Sequence, residues 1–169
     1  MSLYSDHEND TVVVENTSQA NHRPKMAQRK RQLRGSCYCG NIRFVFATYK
    51  TDAELPKREC QCGFCVLHGR ISTSDPDGEM RIAIEAPEKV NKFRFGHRTA
   101  DFHVCRECGA IPVVTSEVDG ATIGLVDVRM IEGFAWSRAD TFHHTFEDEE
   151  VDDRLVRRKS RWTGTVTFE

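Results

Sequence analysis

Gly35-Ser36-Cys37-Tyr38-Cys39-Gly40-Asn41-Ile42-Arg43-Phe44-Val45-Phe46-Ala47 runs a tight, thiol-bearing turn directly into a strand. Ile42, Phe44 and Phe46 fall on one face of that strand because side chains alternate along extended backbone. The two cysteines before it sit one position apart, close enough on a turn to direct both sulfurs at one ion. Cysteines recur in only two other places, Cys60-Gln61-Cys62-Gly63-Phe64-Cys65 and Cys105-Arg106-Glu107-Cys108, which makes seven.

A four-coordinate zinc site takes two such pairs, so CxC with CxxC would close one site and leave CxCxxC for a second. A second ion held by three thiolates keeps a vacant position, and catalysis needs one. Spacing alone does not decide which groups share an ion. Cys60, Cys62 and Cys65 could instead recruit a histidine: His68 lies three residues past Cys65, and His103 two before Cys105. Gly40, Gly63 and Gly109 follow Cys39, Cys62 and Cys108 and would let the backbone fold around the sulfurs.

Disulfides suit the pattern less well. An odd count leaves one thiol over, and cysteines a single position apart are awkward for cross-linking outward. Residues 1–30 contain no apolar run longer than Val12-Val13-Val14, so a signal or membrane segment is not expected. The expectation is a reduced, cytoplasmic chain with thiols free for metal.

At 169 residues, 38% hydrophobic and 30% charged, the chain supports one globular domain with a modest core. A formal charge of −2 gives the whole molecule no electrostatic case for nucleic acid and none for a membrane surface. Residues 1–34 read as a disordered polar tail. The tail ends in a basic arm of Arg23, Lys25, Arg29, Lys30, Arg31 and Arg34, read first as a solvated lead-in rather than a docking arm. The acidic run Glu147–Asp153 and the basic run Arg154–Arg161 read as an exposed loop or short helix that neutralises itself.

Alternation marks further strands at Met80–Glu85, Lys92–Phe95 and Ala121–Val128. Helical periodicity is scarce beyond a short turn after Cys65. The fold class expected is therefore mainly β, a single domain over residues 35–169. Phe44, Phe46, Phe93, Phe95 and Phe102 are expected to pack in the core, and Trp136 and Trp162 to serve packing as well.

GSCYCGNIRF, ECQCGFC and FHVCRECGAIP, taken in that order, resemble the glutathione-dependent formaldehyde-activating enzymes and their wider group, which includes the centromere protein V domain. The resemblance covers residues 35–128 and uses all seven cysteines. It implies an Mss4-like fold of β-sheets around zinc. It implies a structural zinc on Cys37, Cys39, Cys105 and Cys108, and a catalytic zinc on Cys60, Cys62 and Cys65, so two Zn²⁺ per chain. The activity it implies is carbon–sulfur lyase chemistry of the S-hydroxymethylglutathione synthase type, with a small-molecule thiol and aldehyde, or their thioadduct, as partners. Two departures stand out. Val66-Leu67-His68-Gly69 follows Cys65 where the family often carries basic residues, and the polar tail lies outside the shared region.

Zn²⁺ with three thiolates has a net charge of −1, which makes it a weak polariser of carbonyls but still able to take a thiol as thiolate. Thiol addition to an aldehyde also needs a proton shuttle, for which His68, His103, Asp101 and Glu59 are the neighbours in sequence. Arg70 and Arg98 could pair with substrate carboxylates, although each reads first as an ordinary surface arginine. His97, His143 and His144 receive no role. Besides the lyase, two readings stand: a specialised zinc lyase or isomerase acting on a larger substrate in secondary metabolism, and a noncatalytic zinc module binding a partner through its basic arm.

Overall fold

The computed structural model describes residues 29–169. The expected tail lies outside them up to residue 28. Its assigned end does not hold, because residues 31–34 already belong to the first strand, β1 (Arg31–Ser36). Leu33 is buried there, and an apolar anchor on a paired strand orders the residues before the cysteine turn.

Two sheets make up a mainly β domain. The first has the order β1, β2 (Ile42–Thr48), β5 (Glu79–Ile84) and β11 (Thr165–Phe168), antiparallel except where β11 runs parallel to β5. The second has seven strands in the order β10 (Phe142–His144), β3 (Arg58–Cys60), β4 (Ser72–Thr73), β9 (Ala121–Asp127), β8 (Val113–Val118), β7 (Asp101–Cys105) and β6 (Val90–Phe93). Among the described residues there are two α-helices, α1 (Gly63–Leu67) and α2 (Val151–Arg161), besides three short 3-10 turns. Among the described residues no helix is long and apolar enough to cross a membrane.

The core fills the space between the sheets. Ile42, Phe44 and Phe46 point inward from β2 while Arg43 faces out, as the alternation requires. They meet Met80 and Ile82 of β5, Val166 of β11, and Val113 and Val126 of the second sheet in one buried cluster. Gly124 makes the approach possible: a Cβ there would lie 3.1 Å from the Val114 carbonyl and 3.2 Å from Val166 Cγ2. Each such apolar side chain contributes roughly 1.5–3 kcal/mol relative to exposure.

The expected strands at residues 42–47, 80–85 and 121–128 are present as β2, β5 and β9. The strand expected at Lys92–Phe95 starts earlier and stops at Phe93, because its pairing with β7 ends at Phe93 and Phe102. The acidic and basic runs are organised as α2, with Asp152 and Asp153 in its first turn and Arg158, Lys159 and Arg161 in its last, which suits the helix dipole. Glu149, just before it, receives Arg157 Nε at 2.7 Å and Nη2 at 2.6 Å. The helix is not wholly exposed: Arg158 is buried. Of the basic arm, Lys30 pairs with Glu79 at 2.7 Å and Arg31 with Asp52 at 2.6 Å, so these charges serve the fold.

One buried carboxylate ties the loops at this end together. Asp75 accepts a hydrogen bond from Thr48 Oγ1 at 2.6 Å and lies 2.8 Å from Lys50 Nζ. Burial pushes its pKa up, but Lys50 and Thr48 outweigh that and hold the carboxyl below its ordinary value of 3.8. A depressed folded value stabilises above the unfolded one and is lost as pH falls through the folded one. Asp75→Asn should cost about 2–3 kcal/mol at neutral pH in urea denaturation, and the gap from the parent should close below about pH 4.

Candidate metal centres

The two sheets bring distant cysteines together. Cys37 and Cys39 sit in the turn between β1 and β2; Cys105 ends β7 and Cys108 lies in the turn that follows. Their four sulfurs lie within 4.8 Å of one another. Cys37 Sγ is 3.6 Å from Cys39 Sγ, and Cys39 Sγ is 3.4 Å from Cys105 Sγ. A tetrahedral ion about 2.3 Å from each thiolate sets sulfurs about 3.8 Å apart, so the set fits a closed four-thiolate site. Gly40 and Gly109 take positive φ, 81° and 72°, and their amides close the turns onto Cys37 O and Cys105 O. Gly63 has no such role; it opens α1.

Burial pushes the Cys37 and Cys105 thiols up. Burial also opposes ionisation of Cys108, but the Ala110 and Cys39 amides and the Cys105 and Cys39 thiols outweigh it, bringing Cys108 down to about 7. Cys37 and Cys105 are almost fully enclosed and belong to the main core.

The second group is built locally. Cys60 ends β3, Cys62 is the residue before α1, and Cys65 lies within that helix. Their sulfurs also lie within 4.8 Å of one another. Hydrogen bonds from Cys60 and Cys65 favour Cys62 as thiolate, and the same contacts push Cys60 and Cys65 up. Three thiols so placed share one negative charge until a cation lets all of them ionise.

Among the described residues no histidine joins either group. His68 is turned to its own helix, with Nδ1 2.8 Å from Phe64 O. His103 is buried in the second sheet with Nε2 2.9 Å from Thr115 Oγ1; burial and Lys92 bring its pKa down to about 4. Asp101 is bonded to Arg94, and Glu59 to Arg138 at 2.9 Å and His143 at 3.2 Å. None of these four proposed shuttle residues lines the cavity described next.

Cys60, Cys62 and Cys65 line a cavity of about 400 Å³. Phe64, Phe95, Phe102, Phe146 and Trp162 supply aromatic surface, and Arg58, Arg70, Arg154, Arg157, Arg158 and Arg161 supply positive charge. Arg70, read from sequence as a surface residue, is 4% exposed because the chain leaving α1 turns inward onto β4, within 3.8 Å of Asp127. Arg98 is exposed and outside the lining. His97 and His144 are the imidazoles of the cavity. Burial, with Arg58 and Arg157, holds His144 below its ordinary value.

The core expectation holds for Phe44 and Phe46 and fails for Phe93 and Phe95, which are 37% and 36% exposed. Phe93, Phe95 and Phe102 gather around Phe64 with ring centroids 5.1, 4.7 and 5.0 Å away, on the face of the sheet turned from the main core. The arginines of α2 and His144 had no signal beyond the charge run at 154–161, since only tertiary folding sets them opposite the cysteines.

No family model matches the chain, and no curated protein does. Among solved structures, a Rhodobacter sphaeroides protein is similar over 63% of this chain and 93% of its own, with 27% identity and a TM-score of 0.46.

The two groups should respond differently to loss of a sulfur. Cys37→Ser or Cys108→Ser is expected to unfold or precipitate the domain, because a core-embedded site contributes to folding itself. Cys60→Ser should leave a folded protein within about 4 °C of the parent melting temperature, with less bound metal by elemental analysis. Equal destabilisation in both classes would overturn the distinction.

Proposed function

We propose that this chain is a zinc-dependent carbon–sulfur lyase that condenses a thiol with an aldehyde, of the formaldehyde-activating type that its cysteine motifs resemble. The observation that carries the reading is a group of three cysteines that no fourth protein ligand joins among the described residues, lining a cavity of about 400 Å³. The soft, all-sulfur donor sets suit zinc. In this reading Cys37, Cys39, Cys105 and Cys108 hold a structural zinc, and Cys60, Cys62 and Cys65 a catalytic one. With zinc bound, Cys60, Cys62 and Cys65 would hold it as thiolates, and the metal would supply a site at which a substrate thiol is stabilised as thiolate.

The reaction forms one carbon–sulfur bond and moves one proton. The thiol sulfur adds to the aldehyde carbon, the carbonyl π pair goes to oxygen, and the proton lost from sulfur ends on the new hydroxyl. In the lyase direction the same bond breaks. His144 and His97 are the imidazoles positioned along the cavity for that transfer. The arginines of α2 and Arg70 orient an anionic substrate, and the aromatic side chains limit water around the reacting sulfur.

Free thiols throughout suit a reducing, cytoplasmic setting. A specialised lyase or isomerase on a larger substrate is a second reading, favoured by the cavity's aromatic lining. A noncatalytic module docking through the basic arm has less in its favour, because Lys30 and Arg31 are engaged within the domain.

Exchange NMR of formaldehyde with glutathione tests the leading reading, with Cys62→Ser as the control for the spontaneous reaction. The native protein is expected to accelerate exchange at least about tenfold over that variant, a barrier change of about 1.4 kcal/mol. X-ray absorption should show sulfur coordination at the three-cysteine site rising by one when thiol is added. No acceleration by a protein carrying both zinc ions removes formaldehyde and glutathione as its substrates.

A further inference from the structure

The charges around this cavity are not balanced. Arg158 is 7% exposed, yet its Nη1 donates only to neutral acceptors: Thr99 O and Oγ1 at 2.8 Å each, and Ser116 Oγ at 3.1 Å. Arg58 donates to Ser74 Oγ at 2.8 Å and to Arg161 O at 3.5 Å. Arg161 makes no side-chain ion pair among the described residues. Arg70 faces Asp127 at 3.8 Å, but both carboxylate oxygens of Asp127 are taken by Arg129, at 3.0 and 2.8 Å. Arg70 Nε and Nη2 remain buried without hydrogen-bond partners.

Against these stand Glu149, committed to Arg157, Glu147, the one carboxylate of the lining, and the single negative charge of the three-cysteine group, too few for six arginines. Burial and the neighbouring Arg154 and Arg157 lower Arg158 to about 10, which still leaves it charged at neutral pH. Buried cations that find neutral acceptors and no counter-ion mark a place for an anion.

Apart from the cysteines, His97, His144, Ser72 and Thr99, the rest of the lining is apolar. Phe64, Phe95, Phe102 and Trp162 border the same space, and Phe95, packed on Phe64 and Phe102, keeps 36% of its surface exposed. Glutathione matches this only in part: its two carboxylates suit the arginines, but its ammonium group does not, and it has no apolar body to fill the aromatic part.

We infer that the cavity takes an acidic substrate with an aryl or similarly apolar body, its anionic group held by Arg58, Arg158 and Arg161 and its body against Phe64, Phe95 and Phe102. This rests on the reading of the three-cysteine cavity as the active site, and it names the class of thioadduct acted upon there.

Binding without turnover tests it. Trp162 lines the cavity and Trp136 does not, so a Trp136→Phe protein, zinc-loaded, reports occupancy by fluorescence. Hydrocinnamate, phenethylammonium and glutathione are titrated at physiological ionic strength. Hydrocinnamate is expected to bind about tenfold more tightly than either of the others. Arg161→Gln should weaken it about tenfold, and Phe95→Ala about threefold; both positions are exposed, so both variants should melt with the parent. Equal affinity for the aryl cation and the aryl anion, preference for glutathione, or unchanged binding in both variants would each overturn the inference. Hydrocinnamate binding by a protein inactive in the exchange assay sustains the substrate class and removes only the formaldehyde chemistry; exchange activity without hydrocinnamate binding does the reverse.

Discussion

Four sulfurs hold the first sheet to the second. Cys37 and Cys39 belong to the turn that starts β2, Cys105 and Cys108 to the end of β7, and their convergence within 4.8 Å joins segments 66 residues apart in the chain. That contact places the inward face of β2 against the second sheet, with Cys37 and Cys105 themselves part of the buried cluster. Four thiols packed this closely repel as thiolates and are poorly solvated as thiols, so the arrangement is one that could hold a cation. The second sheet, once fixed, carries β3 and α1 and with them the other three cysteines.

Much of this was legible from local pattern. Alternation at Ile42–Ala47 and Met80–Glu85 corresponds to β2 and β5 because both strands bury one face, where a period of two is strongest. The cysteine grouping was legible for the same reason: ligands on one turn must be near neighbours in sequence. What spacing left open, which pair completes the four-sulfur set and whether a histidine joins the three, depends on tertiary approach. His68 had suitable spacing but its ring is spent on the Phe64 carbonyl, and His103 alternates into the sheet interior rather than toward Cys65.

Phenylalanine shows the limit of the alternation argument. Phe44 and Phe93 look alike on their strands, yet one packs between sheets and the other lies on the far face of the second sheet, gathered with Phe95 around Phe64. Period two says that a face is apolar; it does not say whether another layer of protein covers it. Arg70 fails in the opposite sense. A single arginine in a polar loop reads as surface, and only the closure of β4 onto β9 carries it inside beside Asp127.

The stability of the cavity and its chemistry pull against each other. Arg58, Arg154, Arg157, Arg158 and Arg161 converge from β3 and α2, and like charges brought together under partial burial destabilise the folded chain. The fold offsets part of that cost through Glu149, through the Arg157 guanidinium 3.5 Å above the Phe146 ring, and through neutral acceptors such as Thr99 and Ser116. It leaves part uncompensated at Arg70, whose Nε and Nη2 are buried without hydrogen-bond partners. A helix whose only task was to cover the second sheet would do so with fewer cations and more leucine. Residual unpaired charge beside an apolar surface is therefore better understood as binding energy held in reserve for an anion, released when that anion replaces the water around the guanidinium groups.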